Sequence, residues 1–316
     1  MLIRYFPTDT NFGFMRFRRW SFPFSAAMSV LAVLLFFAVG MNFGIDFKGG
    51  TLVELQSRAG RADVAALREQ ADALGLGEME VQEFGNDGRE VSLRVELQPG
   101  GDQGQQGVVE KLRSTFGGDY DFRRVEVVGP RVSGELVQSG TLGIVLSLVT
   151  ILVYLWFRFE WQFAIGALVA TLHDIVLTIG FFALTQIDFN MTSIAAILTI
   201  IGYSLNDTVV VYDRIRETMR KYKRIPIQDL LDRAMNDTLA RTLVTGVSTG
   251  LALIALTVYG GEVLKSFSYA MLFGLVVGTY SSVFIASPIL IYLGLKLGSE
   301  APTAARVKLT QPQAAE

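Results

Sequence analysis

The chain has 316 residues, of which 51% are hydrophobic and 18% charged, with 22 Phe and a mean hydropathy of +0.39. Ordinary soluble domains do not carry that balance, so composition alone places the chain in a bilayer. A net charge of -2 and a pI near 5.7 give no global argument for nucleic acid, and the absence of cysteine excludes structural disulfides and thiolate metal sites.

Apolar stretches near the 20 residues needed to span occur about six times, at 22–41, 137–157, 162–184, 191–212, 242–259 and 264–294. Arg4, Arg16, Arg18 and Arg19 precede the first, so the positive-inside rule keeps segment 1–21 cytoplasmic. That first run is too long for a signal-peptide core, and no convincing A-x-A site follows it. Residues 42–136 have soluble composition and read as one small extracytoplasmic domain. Alternation predicts strands at 51–56, 79–84, 90–97 and 122–128, and helical spacing predicts helices at 62–74 and 108–116. The order βαββαβ is that of a ferredoxin-like unit. Gly85-Asn86-Asp87-Gly88 suits a hairpin turn, and the Gly- and Gln-rich 98–107 reads as a mobile polar loop.

The remaining five spans fill 137–297, with a cytoplasmic loop at 214–241 carrying Arg214, Arg216, Arg220, Lys221, Lys223, Arg224, Arg233 and Arg241. The turns at 186–190 and 260–262 carry no Lys or Arg, so both termini are expected inside and the basic run reads as membrane retention rather than nucleic-acid binding. Pro288 predicts a break in the long sixth span, and the small residues Gly274, Gly278, Ser281 and Ser282, with the G-x-x-x-G pair Gly246 and Gly250, predict close helix packing. The tail 298–316, rich in Ala, Pro and Gln, reads as disordered and cytoplasmic.

Asp207 is the residue that most needs explaining, because an Asp at the centre of a spanning helix costs roughly 2.5–3.5 kcal/mol and such residues serve a partner, a water path or a proton route. A low dielectric penalises the charged form, which suits a proton carrier; a permanently hydrogen-bonded structural acid, held by Asn206 and Thr208, is the other reading. Asp213, beside Arg214 and Arg216, reads as an interfacial ion pair with a weaker claim to a proton role. Asp174 is either a packing or a relay residue, and His173, the only histidine, ranks below it because neighbours on a helix point about 100° apart. At Gly44-Ile45-Asp46-Phe47-Lys48-Gly49-Gly50-Thr51 the lysine precedes the glycines and a span precedes the motif, so this is no phosphate loop. Gly44, Asp46, Lys48, Gly49 and Gly50 read instead as a structural junction where another backbone comes close.

The motif at 44–51, His173-Asp174, the run Gly202-Tyr203-Ser204-Leu205-Asn206-Asp207-Thr208 continuing to Asp213-Arg214, Asn236-Asp237-Thr238 with Arg241-Thr242, and Gly278–Pro288 in that order resemble the SecF family, partners of SecD in bacterial protein export and relatives of proton-driven RND transporters. The resemblance implies an α-helical inner-membrane protein, a six-span RND-like half with one external ferredoxin-like domain. It implies a subunit that pairs with SecD at the SecYEG channel, with YajC and YidC as further associates and the translocating preprotein as client. Protons would be the coupling ion and no cofactor or metal is implied. It also implies that Arg241, otherwise an ordinary positive-inside anchor, works with Asp207 in proton movement. A proton-coupled exporter of lipids or small molecules and a passive translocase scaffold are the competing classes; no enzyme constellation is legible.

Overall fold

The computed structural model describes residues 10–77, 79–85 and 87–295. The expected tail at 298–316, the first nine residues and the Asn86 position of the hairpin turn lie outside them.

Among the described residues, six helices are long and apolar enough to span a membrane. α1 (Arg18–Ala38) follows a 3-10 turn at Phe14–Phe17. A four-residue helix, α2 (Ile45–Lys48), leads into the external domain. The domain runs β1 (Gly50–Ser57), α3 (Val64–Ala73), β2 (Met79–Phe84), β3 (Glu90–Val95), α4 (Gly101–Phe116) and β4 (Tyr120–Val128). Its four strands are antiparallel in the order β2-β3-β1-β4, the arrangement expected of a ferredoxin-like unit. Alternation fixes which face is inside: Val53, Leu55, Val91, Leu93 and Val95 are buried against Leu67 and Ala71 of α3 and Val108, Leu112 and Phe116 of α4. The opposite, polar face carries Leu52, Glu54, Ser92, Arg94, Arg124 and Glu126, and looks across a cleft of about 410 Å³ at the outer ends of the spans.

Segment 98–107 is not the loop that its composition suggests. α4 begins at Gly101, and Gln105 is fully buried, its Oε1 accepting a hydrogen bond of 2.7 Å from Thr51 Oγ1. A buried amide held by a distant hydroxyl outweighs the weak helix propensity of Gly and Gln.

The membrane part continues with α5 (Pro130–Arg158), α6 (Trp161–Thr185), α7 (Met191–Lys221), α8 (Ile227–Tyr259) and α9 (Gly261–Ser281). A π-helical turn at Ser282–Ala286 then joins α9 to α10 (Ser287–Tyr292). The break expected at Pro288 is this π turn, which lets the helix continue: Pro288 enters near the start of α10, where a missing N–H is least costly. The loop expected at 214–241 is mostly helix. Only 222–226 lies between α7 and α8; it holds Lys223 and Arg224, and the other basic residues project from the helices. At 31 residues α7 is about 46 Å long, well beyond a hydrocarbon core of about 30 Å.

α6, α7 and α9 form the centre, and α1, α5 and α8 stand around them with large apolar side chains exposed, among them Phe37, Phe157 and Leu251. Small residues set the central approaches. A Cβ on Gly274 would overlap the Ile200 side chain, one on Gly278 would meet Ser204 Cβ at 3.0 Å, and one on Gly180 would meet Ala32 Cα at 2.9 Å. The Gly246 and Gly250 pair makes no such approach, because a Cβ there would meet only Tyr203 Oη at 3.9 Å and Leu275 Cδ2 at 3.4 Å.

Candidate functional site

α7 brings the informative residues together. Its outer end is fixed by a capping box, in which Asn190 accepts from Ser193 N–H and Ser193 Oγ accepts from Asn190 N–H. From there the helix passes through the middle of the bundle, and Asp207 is buried where α7 faces α8, only 8% exposed. Its Oδ1 accepts a hydrogen bond of 2.6 Å from Thr242 Oγ1 on α8. Its Oδ2 is buried and accepts no hydrogen bond from any described residue.

The neighbours expected to hold Asp207 do not. Asn206 is exposed on the next face, and Thr208 Oγ1 pairs at 2.8 Å with Ser282 Oγ, at the start of the π turn. Residues one and two steps along a helix from each other point to different sides, which is why sequence neighbours make poor partners here. Thr242 comes from 35 positions away and carried no signal beyond its place beside Arg241. Arg241 is exposed on α8 and acts electrostatically on Asp207, without a direct ion pair between them among the described contacts. It stands within the long α8.

Asp174 on α6 is wholly enclosed. Its Oδ2 accepts from Ser204 Oγ of α7 at 2.6 Å and Ser281 Oγ of α9 at 2.8 Å, and its Oδ1 lies 3.1 Å from His173 Nδ1. Although neighbours on a helix point about 100° apart, His173 and Asp174 meet here through Nδ1 and Oδ1. Ser282 Oγ also donates to Ser204 O at 3.4 Å, so Asp174 sits in a seam of hydroxyls along α7 and α9, whereas Asp207 faces Thr242 of α8.

Asp213 forms an ion pair, but with Arg158 of α5 at 2.7 Å rather than with Arg214 or Arg216. Arg214 instead pairs with Asp237 and Glu217, both at 2.6 Å. These are partly exposed pairs at the basic end, suited to fixing helix ends and contributing little stability. Asn236, in the same stretch as Arg241, holds the chain before α1: it accepts from Phe12 N–H at 2.8 Å and donates to Phe12 O at 2.9 Å, while Asp232 accepts from Met15 N–H at 2.8 Å.

The junction at 44–51 is built by close backbone approach. Gly49 and Gly50 have φ of 73° and 122°, and a Cβ on Gly50 would overlap Val95 O of β3. Gly44 N–H donates to Phe189 O at 2.8 Å and Phe189 N–H to Asn42 O at 2.7 Å. Asp46 Oδ2 accepts from Met191 N–H, the first residue of α7, at 2.8 Å. Lys48 is exposed.

Comparison with known proteins agrees with this architecture. Residues 108–296 match the family described as "Protein export membrane protein SecD/SecF, C-terminal", and residues 34–59 match the "SecD/SecF GG Motif", which contains the junction. The protein translocase subunit SecF of Rickettsia bellii (strain OSU 85-389) is 41% identical over 91% of this chain and 95% of its own length. That of Cereibacter sphaeroides is 42% identical over 92% of each. The protein translocase subunit SecDF of Brucella abortus is 45% identical over 92% of this chain, which spans only 38% of that longer protein. The crystal structure of SecDF from Thermus thermophilus, a translocon-associated membrane protein, superposes with a TM-score of 0.81 at 32% identity, covering 91% of this chain and 39% of the other. Matches of this extent, carried by the buried-acid bundle and the two-glycine junction alike, place the chain in the SecD/SecF family of protein-export membrane proteins, as a SecF-type translocase subunit.

Proposed function

We propose that this chain is the six-span half of a proton-driven export device that pairs with SecD and helps draw preproteins through SecYEG after the SecA motor has acted. YajC and YidC are further partners in this reading, the bilayer is the bacterial inner membrane, and both termini and the basic helix extensions face the cytoplasm. The device needs no cofactor or nucleotide site of its own: protons are the coupling ion. SecDF relatives in which both halves share one chain support the pairing.

One observation carries the proton assignment. Asp207 is buried in the middle of the bundle with one oxygen held by Thr242 and the other without a partner among the described residues, beside the permanently charged Arg241. Such a carboxyl is a place where a proton can be added or lost without dismantling a hydrogen-bond network. Protonation changes its attraction to Arg241 and hence the balance between α7 and α8, biasing the bundle toward one of two arrangements. Asp174, with both oxygens engaged, is a fixed hub in this scheme, and Asp213 is an anchoring pair.

The test is export in inverted vesicles carrying SecD, SecYEG and this chain, with ATP removed after partial translocation and a proton gradient then imposed. Wild type completes export and Asp207→Asn, assembled normally, does not. Equal completion by both overturns the assignment in favour of a scaffold.

A further inference from the structure

The flanking spans α1 and α5 are the covalent connections between the bundle and the external domain, yet the domain's root is also hydrogen-bonded to a third element. The connection from α6 to α7 is bound there four times over. Asp46 Oδ2 accepts from Met191 N–H, while Gly44 N–H donates to Phe189 O and Phe189 N–H donates to Asn42 O across a parallel bridge of Phe43 and Phe189. The Phe43, Phe47 and Phe182 rings surround Phe189, with centroids 5.8, 5.3 and 5.1 Å from it. Arg94 of β3 reaches Asp188 at 2.5 Å, and Asn42 Nδ2 donates to the same carboxylate at 2.7 Å.

We infer that Asp46 is a positioning residue for coupling: by accepting the first N–H of α7 it fastens the outer end of that helix to the domain's root, so that α7 itself carries displacement from Asp207 outward. This rests on the proton-coupling reading above. Met191 and Asp207 are 16 residues apart on one unbroken helix, about 24 Å of rise, and packed helices shift as rigid bodies. α7 is among the most enclosed spans, whereas α1 and α5 are among the least, so α7 is the better rod. The glycine junction follows from the same demand. Gly49 and Gly50 turn the chain tightly enough to bring α2 against the α7 N-terminus while β1 starts beside β3. An acid suits that position because a helix N-terminus favours negative charge and offers unpaired N–H groups.

The experiment uses the full chain with SecD and SecYEG in the vesicle assay, and adds a local probe, Gly246→Cys on α8, whose gradient-dependent thiol reactivity reports the neighbourhood of Asp207. The chain has no native cysteine to interfere. Asp46→Ala is expected to reduce gradient-driven completion of export about tenfold while the local response stays as in wild type. Asp46→Asn keeps an oxygen acceptor and is expected to restore completion. In the Asp46→Ala background without the probe, Phe43→Cys with Phe189→Cys supplies a covalent substitute across the bridge: oxidation is expected to recover export and reduction to lose it again, which a folding defect would not do.

Wild-type export by Asp46→Ala overturns the inference, as does loss of the local response in that variant or failure of the fully oxidised pair to recover. If wild type itself shows neither local response nor gradient-driven completion, the proton-coupling reading fails and the inference falls with it, an outcome distinguishable because it precedes any change at Asp46.

Discussion

Two acids in one bundle differ by what their second oxygen meets. Asp174 has hydroxyl donors at one oxygen and the His173 ring at the other, so removing its carboxyl takes the partner from buried Ser204 Oγ and His173 Nδ1 and leaves Ser281 Oγ with Gly278 O alone. Asp174→Ala is expected to destabilise the purified complex by about 3 kcal/mol, read from thermal unfolding in detergent, whereas Asp174→Asn, which still accepts from both serines, keeps most stability and gradient-driven export. Loss of export in a stable Asp174→Asn complex would instead make Asp174 a relay. On the external domain, the Arg58 hydrogen bond holds the Asp121 carboxyl below its ordinary range. A depressed folded-state value means that the contribution is present at neutral pH and is lost as the pH falls through that value. Because the pair is exposed, Asp121→Asn is expected to leave neutral-pH stability nearly unchanged and to flatten only the acid limb of a pH titration of unfolding. Asp207 was legible in the sequence because a carboxyl in an apolar run is costly wherever it points. Its partner was not, because Thr242 is one of many helix hydroxyls and nothing in a linear sequence tells which of them crosses to another helix.

At the scale of elements, spans and strands were readable because their signals are long or strictly periodic, and the departures occur where one distant contact overrules composition. The buried Gln105 turns a Gly- and Gln-rich stretch into the first turns of α4, and the π turn before Pro288 converts an expected break into a continued helix. π turns inside helices often mark functional positions, and this one begins at Ser282, bonded to Thr208 next to Asp207. Small residues had packing meaning, but which glycines use it depends on which face is enclosed. Gly180 abuts the Ala32 backbone of α1, whereas a Cβ on Gly143 of α5 meets nothing within 4 Å. Gly180→Val is therefore expected to separate α1 from α6 and lower stability by about 1–3 kcal/mol, while Gly143→Val is neutral in the same thermal assay. Equal behaviour of the two would show that α1 has room to move and does not depend on that contact.

For the whole molecule, the arrangement of charge bears on which way the proposed device faces. The capping box and Asp46 define one end of α7, with the external domain on that side, and the helix then extends to Lys221 through Arg214, Arg216 and Arg220. α8 returns from the same end with Asp229, Arg233 and Asp237 in its first turns, so the basic excess belongs to the end of α7 and to Lys223 and Arg224 of the 222–226 connection. Positive charge next to a span resists translocation, whereas the connection at 186–190 offers none to resist it. What the sequence could not show was that this uncharged connection also grips the domain, since its contacts pair residues such as Arg94 and Asp188 that are remote in the chain. The orientation is testable without touching either site, because Glu110 on α4 and Arg220 on α7 are both exposed and the chain is free of cysteine. A membrane-impermeant maleimide is expected to label Glu110→Cys but not Arg220→Cys from outside intact spheroplasts, and the reverse in inverted vesicles. The opposite pattern would put the domain in the cytoplasm. An inward proton flow through Asp207 would then drive a domain on the wrong side of the membrane to draw a preprotein out, so the proposed direction of work stands or falls with this labelling.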